Sequence, residues 1–393
     1  MRQGGKASSF RDACDDLEAL AGVTISPRHL SRLVERIGGE WQAARDADVK
    51  ALHEDRLGRD YPEPPATAAV MLDGGRVQTR AAEQGPGVHD PGWNETKVAC
   101  CLTLPSAVSE IDPRPEPPSK FLDPPTVVKL VGQIKSRGQC GGAGRADKTK
   151  PKPRKRKRVR NKRTVRLVRT AVATMADSDT FGWQVMAEVH RRGLDRAANK
   201  ACVCDGQAYN WSIFHLHLEP AGFVAILDFL HLLTYLYAAA HAAMGKGTLK
   251  AWELYERWMR GAWAGKAAEV LRELKAQSEK LGPPPKEADE QDPRRIVAEA
   301  ATYVGNNQER MDYPRYRKLG LPTSSAPVES LIKQFNRRVK GSEKFWLKSG
   351  SEAVLQVRAA YLSEDGRADR YWARPRPPQR AVGHGPLPQR QTA

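Results

Sequence analysis

The chain has 393 residues, with 64 Lys and Arg against 46 Asp and Glu, which gives a formal net charge of +18 at pH 7. With 40% hydrophobic residues, 32 glycines and 28 prolines, the composition excludes a collagen-like protein and a wholly disordered one. The length allows two or three domains, and the basic excess favours a polyanionic partner, most simply nucleic acid.

Residues 1–60 are predicted to be helical. Gly22 ends a first helix, and Ser26 caps a second helix whose first residue is Pro27. The second helix has an apolar stripe and, apart from it, a basic face made of Arg28, Arg32 and Arg36. Two short helices around a tight turn, the second of them basic, are typical of a helix-turn-helix DNA-binding region. The alternative is an ordinary αα-hairpin with a solvated charged face.

A basic segment interrupts the strand-forming part of the chain. The predicted strands on either side of it are residues 68–80, 95–104 and 164–174. The segment spans about residues 136–163, and we expect it to be a disordered loop because its core is charged and almost free of apolar residues. Its DNA-contacting residues are predicted to be Arg154, Lys155, Arg156, Lys157 and Arg158. The alternative is a charge run that only increases solubility.

The remaining pattern predicts alternating helices and strands followed by a long helical region. The alternating elements are a helix over 178–192, a strand over 200–204, a helix over 208–217 and a strand over 222–228. Helices then fill 229–309, with a break at Pro283–Pro285, and one amphipathic helix covers 325–340. We expect residues 374–393 to be a disordered basic tail. This order predicts an α/β protein whose mixed sheet is covered by helices.

The longest apolar segment does not predict a membrane span. Gly222–Met244 contains Asp228, His231 and His241, which are costly in hydrocarbon. The six cysteines form no CxxC pair, which favours reduced thiols. We therefore expect a soluble intracellular protein.

Three carboxylates are candidates for a metal site. Asp73 and Asp205 each lie in or after a strand-forming run and directly before a glycine, which would leave room for ions and a DNA backbone. Glu329 shares one helical stripe with Lys333 and Lys340, so that one face would offer an acid to metal and amines to phosphate. The alternatives are Asp-Gly turns and an exposed Glu–Lys pair. Asp228 also ends an apolar run and competes with Asp205.

A predicted loop over Tyr313–Pro322 precedes the helix of Glu329. Arg315, Tyr316 and Arg317 alternate aromatic and cationic side chains there, and such a loop could hold a distorted DNA end by stacking and phosphate contact. A plain surface loop is the alternative.

Seven segments, in order along residues 65–365, resemble the DDE transposases of bacterial insertion sequences, most closely the ISKra group. They are VMLDGGRVQTR (70–80), GWNETKVACCLTL (92–104), VRTAVATMADSDTFG (168–182), CDGQAYNW (204–211), ILDFLHLLTYLYAA (226–239), NNQERMDYPRYRKLGLP (306–322) and SSAPVESLIKQFNRRVKGSEKFW (324–346). The resemblance implies a ribonuclease-H-like core with a mixed five-stranded sheet, formed by 65–228 and 310–365. It also implies an all-helical insertion at 229–309.

The same resemblance assigns the site residues. It implies that Asp73, Asp205 and Glu329 are the catalytic, metal-binding triad, holding two Mg²⁺ ions, or Mn²⁺. It favours Asp205 over Asp228, and it makes Asp228 and His231 a supporting Asp-x-x-His pair.

The function that the resemblance implies is a DNA transposase. It would cleave strands at the ends of an insertion sequence and transfer them into target DNA. Its partners would be terminal inverted repeats, target DNA and further copies of the chain, as a homodimer or higher oligomer, in the bacterial cytoplasm at the nucleoid. The alternatives are an inactive transposase-derived DNA-binding protein and a metal-dependent DNA nuclease without strand joining.

Overall fold

The computed structural model describes residues 2–374 except 86, 88, 90, 91, 139–166 and 342. Most of the predicted disordered loop lies outside the described residues. Its predicted DNA-contacting residues, Arg154–Arg158, all lie outside them. So does the predicted tail beyond residue 374.

One mixed sheet of five strands lies at the centre of the described part of the chain. The strands are β1 (Thr67–Thr79), β2 (Gly92–Leu104), β3 (Val168–Thr174), β4 (Asn199–Cys204) and β5 (Val224–Leu227). Their order across the sheet is β3-β2-β1-β4-β5. β2 pairs antiparallel with β1 and β3, whereas β4 pairs parallel with β1 and β5. The five predicted strands and the α/β class are confirmed.

The middle of the sheet is apolar on both faces. Ala68–Leu72 of β1 and Val98–Leu102 of β2 are uninterrupted runs of buried small or aliphatic side chains. Such runs, without polar alternation, are typical of strands that helices cover on both sides.

The described residues form fourteen α-helices. They are α1 (Arg2–Lys6), α2 (Phe10–Ala21), α3 (Pro27–His53), α4 (Pro124–Gly138), α5 (Ser178–Arg191), α6 (Ala208–Ile213), α7 (Phe229–Met244), α8 (Leu249–Trp263), α9 (Ala267–Leu281), α10 (Pro293–Asn307), α11 (Tyr313–Lys318), α12 (Ala326–Val339), α13 (Lys348–Leu362) and α14 (Arg367–Ala373). The predicted helical region corresponds to α7–α10, and its predicted break lies between α9 and α10. Across the described ranges, every helix is too short or too polar to cross a lipid bilayer.

The capping signals near the amino terminus are confirmed. Ser26 accepts a hydrogen bond from the backbone N–H of His29 (3.2 Å), and Gly22 ends α2 with a φ of 62°. However, α3 is 27 residues long, not short as expected. It extends because it packs along α13 and α5, and its Val34 and Ile37 belong to the main core.

The predicted loop over Tyr313–Pro322 is wrong, because its first half is the helix α11. Tyr316 is 2% exposed and Arg317 is 6% exposed, so the predicted DNA contacts of these two residues are wrong as well. The Arg317 guanidinium pairs with the Asp112 carboxylate, donates to the carbonyl of Trp263 (3.0 Å) and lies over the indole of Trp263. Burial of α11 therefore directs these side chains into the protein.

Candidate metal centre

The parallel pairing of β1 and β4 brings Asp73 and Asp205 to one edge of the sheet. The last matched pair of these strands is Met71 with Val203, and the same register continued by two residues sets Asp73 opposite Asp205. Neighbouring strands are about 4.8 Å apart, so the two carboxylates are neighbours although they are distant along the chain.

Among the carboxyl groups of this region, that of Asp73 has the most strongly shifted pKa. Burial, and after it the negative charge of Asp205, raise the pKa of Asp73 to about 7, while a hydrogen bond from the N–H of Gly74 to its Oδ1 (2.7 Å) acts in the opposite direction. The charge of Glu329 raises this pKa as well. The sheet edge therefore concentrates negative charge that an added cation would stabilise.

Asp205 is held in place from two sides. Its Oδ1 accepts hydrogen bonds from the backbone N–H of Gln207 (3.1 Å) and the side-chain amide of Asn210 (3.0 Å). Its backbone carbonyl accepts a hydrogen bond from the hydroxyl of Tyr303 on α10 (2.7 Å). These bonds fix the carboxylate and leave Oδ2 for a ligand.

The glycines after the two acids do not provide the open space that we expected. A Cβ on Gly74 would lie 2.7 Å from the hydroxyl of Tyr209, and a Cβ on Gly206 would lie 2.7 Å from the ring of Tyr303. Gly206 also has a φ of 94°, which L side chains rarely adopt. Tyrosines therefore occupy the space beside both glycines.

Glu329 reaches this edge from the first turn of α12, which packs on β1 and β2. Its side chain is 8% exposed, and Val328, Leu331 and Phe335 on the adjoining side of the helix are buried as well. Its negative charge affects the pKa of both Asp73 and His231. The structure therefore brings the three predicted acids into one electrostatic cluster.

Asp228 and His231 form a buried pair beside the acids. Asp228 is fully buried, and its Oδ2 accepts hydrogen bonds from Nδ1 of His231 (2.6 Å) and the hydroxyl of Ser325 (2.9 Å). Its Oδ1 accepts from the N–H groups of Leu230 (3.1 Å) and Ser325 (3.2 Å). Burial opposes a charged imidazole, but the bond to Asp228 and the charges of Asp228, Asp205 and Glu329 raise the pKa of His231 to about 9.

Two ligand sets can be drawn from these side chains. The ligand atoms of Asp228, His231 and Glu329 all lie within 4.8 Å of one another, a group that Asp73 and Asp205 do not join. Both oxygens of Asp228 already accept hydrogen bonds, one of them from His231. The second set is the carboxylates of Asp73, Asp205 and Glu329, and carboxylate oxygens are the ligands that Mg²⁺ and Mn²⁺ prefer.

The predicted DNA-contacting residues that are described, other than Tyr316 and Arg317, lie at or near the surface. Arg28, Arg32 and Arg36 are exposed along α3, Arg315 is exposed on α11, and Lys333 is exposed one turn after Glu329. Lys340 is half-buried, with its Nζ 5.6 Å from the ring centre of Trp93.

Several supporting residues have no signal in the sequence. Tyr303 supports Asp205 from 98 residues away, and Ser325 bonds to Asp228 from 97 residues away. Their residue types and spacing are those of ordinary helical and loop positions.

A scan of the chain against protein-family models finds no matching family, and a search of curated proteins finds no match.

Proposed function

We propose that this protein is a DNA transposase of the DDE type, which cleaves DNA at the ends of its element and joins the freed 3′-hydroxyl to target DNA. The observation that carries the proposal is the electrostatic coupling of Asp73, from β1, to Asp205, at the end of β4, and to Glu329, on α12, in one partly buried cluster. The ordered resemblance of seven segments and the net charge of +18 support it.

The arrangement of the chain also agrees with the fold that the resemblance implies. A five-stranded mixed sheet carries the first two acids, and the helices α7–α10 separate it from α12. These features support a ribonuclease-H-like core with a helical insertion before Glu329.

In this proposal Asp73, Asp205 and Glu329 hold Mg²⁺ or Mn²⁺. Bound ions would supply the positive charge that phosphodiester cleavage requires at the attacking and leaving oxygens. The chain's own residues position these ligands. Gln207 and Asn210 fix one oxygen of Asp205, and Asp228 ties His231 to Ser325, the residue directly before α12.

The charged imidazole of His231 adds a donor to the site. Because Nδ1 is bonded to Asp228, Nε2 is the ring nitrogen available to a phosphate oxygen of DNA. Lys333, exposed on the next turn of α12 after Glu329, places a second positive charge nearby. These groups would orient the phosphodiester against the three acids.

A strand-joining assay tests the proposal. The substrates are a pre-cut duplex end taken from the DNA that flanks the gene and a supercoiled target plasmid, with Mg²⁺ or with EDTA. We expect joined product with Mg²⁺ and none with EDTA, because the phosphoryl transfer needs the bound cations. Asp73→Asn, Asp205→Asn and Glu329→Gln should each abolish joining.

Glu309→Gln is the matched control, since Glu309 is exposed and lies outside the cluster. It should join strands as the wild type does. Hydrolysis without joining would identify a nuclease instead, and binding without either reaction would identify an inactive DNA-binding protein. Strand cleavage that persists in excess EDTA would contradict the metal mechanism.

A further inference from the structure

Tyr209 lies at the acidic edge of the sheet, and the function proposed above does not use it. It belongs to α6, four residues after Asp205 and directly before Asn210, whose amide holds Asp205. Its hydroxyl lies against Gly74, the residue after Asp73, since a Cβ built on Gly74 would be 2.7 Å from the hydroxyl oxygen. The fold therefore sets one phenol hydroxyl beside the end of β1, next to the first two acids of the cluster.

The hydroxyl of Tyr209 is available to a ligand. Elsewhere in the protein, the hydroxyls of Tyr303, Tyr313 and Tyr316 each donate to a backbone carbonyl. Among the residues that the structure describes, the hydroxyl of Tyr209 makes no hydrogen bond, and its oxygen is not buried. A bound group with an acceptor oxygen can therefore reach it.

The surroundings of Tyr209 keep its phenol neutral. Burial raises the pKa of Tyr209, and the negative charges of Asp205 and Asp73 raise it further. The phenol therefore keeps its proton at physiological pH and acts as a hydrogen-bond donor, not as a base. A hydrogen bond from such a donor to an anionic oxygen is about twice as strong as one between two neutral groups.

We propose that the hydroxyl of Tyr209 donates a hydrogen bond to a non-bridging phosphate oxygen of the DNA, at or next to the linkage that faces the three acids. The inference rests on the proposed function, because that function brings a DNA strand to this edge of the sheet. The contact with Gly74 holds the hydroxyl in place before DNA binds, so little side-chain freedom is lost on binding. Tyr209 is then a substrate-binding residue, in addition to His231 and Lys333.

Tyr209→Phe removes the hydroxyl and keeps the ring. The test measures the affinity of the full chain for a labelled duplex with the pre-cut end, in Ca²⁺, by fluorescence anisotropy. We expect Tyr209→Phe to bind about tenfold more weakly than the wild type, since a hydrogen bond to a charged group has an effect of that order. Tyr61→Phe is the matched control, because Tyr61 is 37% exposed and lies beside Arg196, which precedes β4, whereas Asp205 follows it. It should bind as the wild type does.

Duplexes with one methylphosphonate identify the contact itself. A methyl group replaces a non-bridging oxygen of one linkage, and the series moves it over the linkages next to the pre-cut end. At one linkage the modification should weaken binding by the wild type much more than binding by Tyr209→Phe, because the variant already lacks the same hydrogen bond. Unchanged affinity of Tyr209→Phe for the unmodified duplex, or an equal effect of every methylphosphonate on both proteins, would overturn the inference.

Titration of Mn²⁺ in the absence of DNA, followed by electron paramagnetic resonance, is a further check. The wild type and Tyr209→Phe should bind Mn²⁺ equally, because the proposed acceptor belongs to the DNA. A weaker affinity of the variant for Mn²⁺ would show that the hydroxyl supports the metal centre, and the assignment to a phosphate would then be wrong.

Strand joining by the wild type and by Asp73→Asn separates this inference from the proposed function. Joining that requires Asp73, together with equal DNA affinities of the wild type and Tyr209→Phe, supports the transposase and contradicts the phosphate contact. A contact that the methylphosphonate series locates, together with no joining, supports the contact and contradicts the transposase. Absence of DNA binding contradicts both.

Discussion

Asp73 is the residue in which burial and like charge act together. Its folded-state pKa of about 7 lies well above the ordinary value of 3.8, so the unfolded chain loses this proton at a lower pH than the folded chain does. Stability in the absence of metal therefore decreases as pH rises from about 4 to about 7, and the full cost remains above that range. A cation held by the three acids would remove this cost.

Asp73→Asn should therefore stabilise the metal-free protein and remove its response to metal. In EDTA at a pH above 7, we expect the variant to gain on the order of 1–3 kcal/mol in the free energy of unfolding, because the amide carries no charge. Added Mg²⁺ or Mn²⁺ should raise the melting temperature of the wild type and leave that of the variant unchanged. Thermal unfolding followed by circular dichroism measures both effects.

Glu309→Gln serves as the control for the loss of one exposed carboxylate and should behave as the wild type does. An Asp73→Asn protein that is less stable in EDTA would show that the charge of Asp73 does not destabilise the metal-free fold. A variant that Mg²⁺ still stabilises would show that Asp73 is not a metal ligand.

At the scale of single elements, α3 carries the basic face that is proposed to contact DNA. Arg28, Arg32 and Arg36 are exposed on successive turns, while Leu30, Val34 and Ile37 are buried on another side of the helix. An αα-hairpin with a solvated face would have the same pattern, so the two interpretations differ only in whether phosphates contact these arginines.

Replacing all three arginines by alanine should reduce DNA affinity and its dependence on salt. If each arginine contacts one phosphate, the slope of log affinity against log salt should become shallower by about 2.7, since each contact contributes about 0.9. Fluorescence anisotropy titrations of a labelled duplex at several salt concentrations measure the slope.

The matched control removes the same charge from α9, at the exposed residues Arg272, Lys275 and Lys280. We expect it to leave the slope nearly unchanged. Equal changes in both triple variants would favour a general effect of net charge, and the αα-hairpin interpretation would then hold.

Local signals explain which elements the sequence predicts. The caps of α2 and α3 are visible because Gly22, Ser26 and Pro27 each have a backbone role that depends only on near neighbours. α11 is missed because a six-residue helix with one proline has too few residues to establish a period. α13 is missed because its residues are buried all round, without an amphipathic pattern.

The candidate site divides in the same way. The residue pattern makes Asp73, Asp205 and Glu329 candidates, and the resemblance assigns them as the triad. The bonds of Tyr303 and Ser325 depend on how distant helices pack, which no spacing along the chain encodes. The burial of Arg317 has the same origin, since Asp112 lies 205 residues before it.

At the scale of the whole molecule, the helix α3 and the sheet share one core. Val34 and Ile37 of α3 belong to the same buried cluster as β1 and β2, and α13 packs on both α3 and β3. α3 and α13 cross closely at Gly38, where an added Cβ would overlap the backbone of Ala353. We therefore expect the helices and the sheet to unfold together.

Gly38→Ala should destabilise the whole protein by about 1–3 kcal/mol, because the overlap forces α3 away from α13. Gly39→Ala is the adjacent control, since a Cβ there meets nothing within 4 Å. It should stabilise α3 by about 0.5–1 kcal/mol, through helix propensity alone. Urea unfolding followed by tryptophan fluorescence and by circular dichroism should show one coincident transition in each protein. Equal effects of the two substitutions would show that the crossing is loose.

The hydrogen bond from Tyr303 to Asp205 has a consequence for engineering. The segment α7–α10 cannot be shortened freely, because a tyrosine on its last helix supports Asp205. A trimmed protein that keeps only the sheet and α12 would lose that support while retaining Asp73, Asp205 and Glu329. Redesign of this protein should therefore preserve α10 in its register.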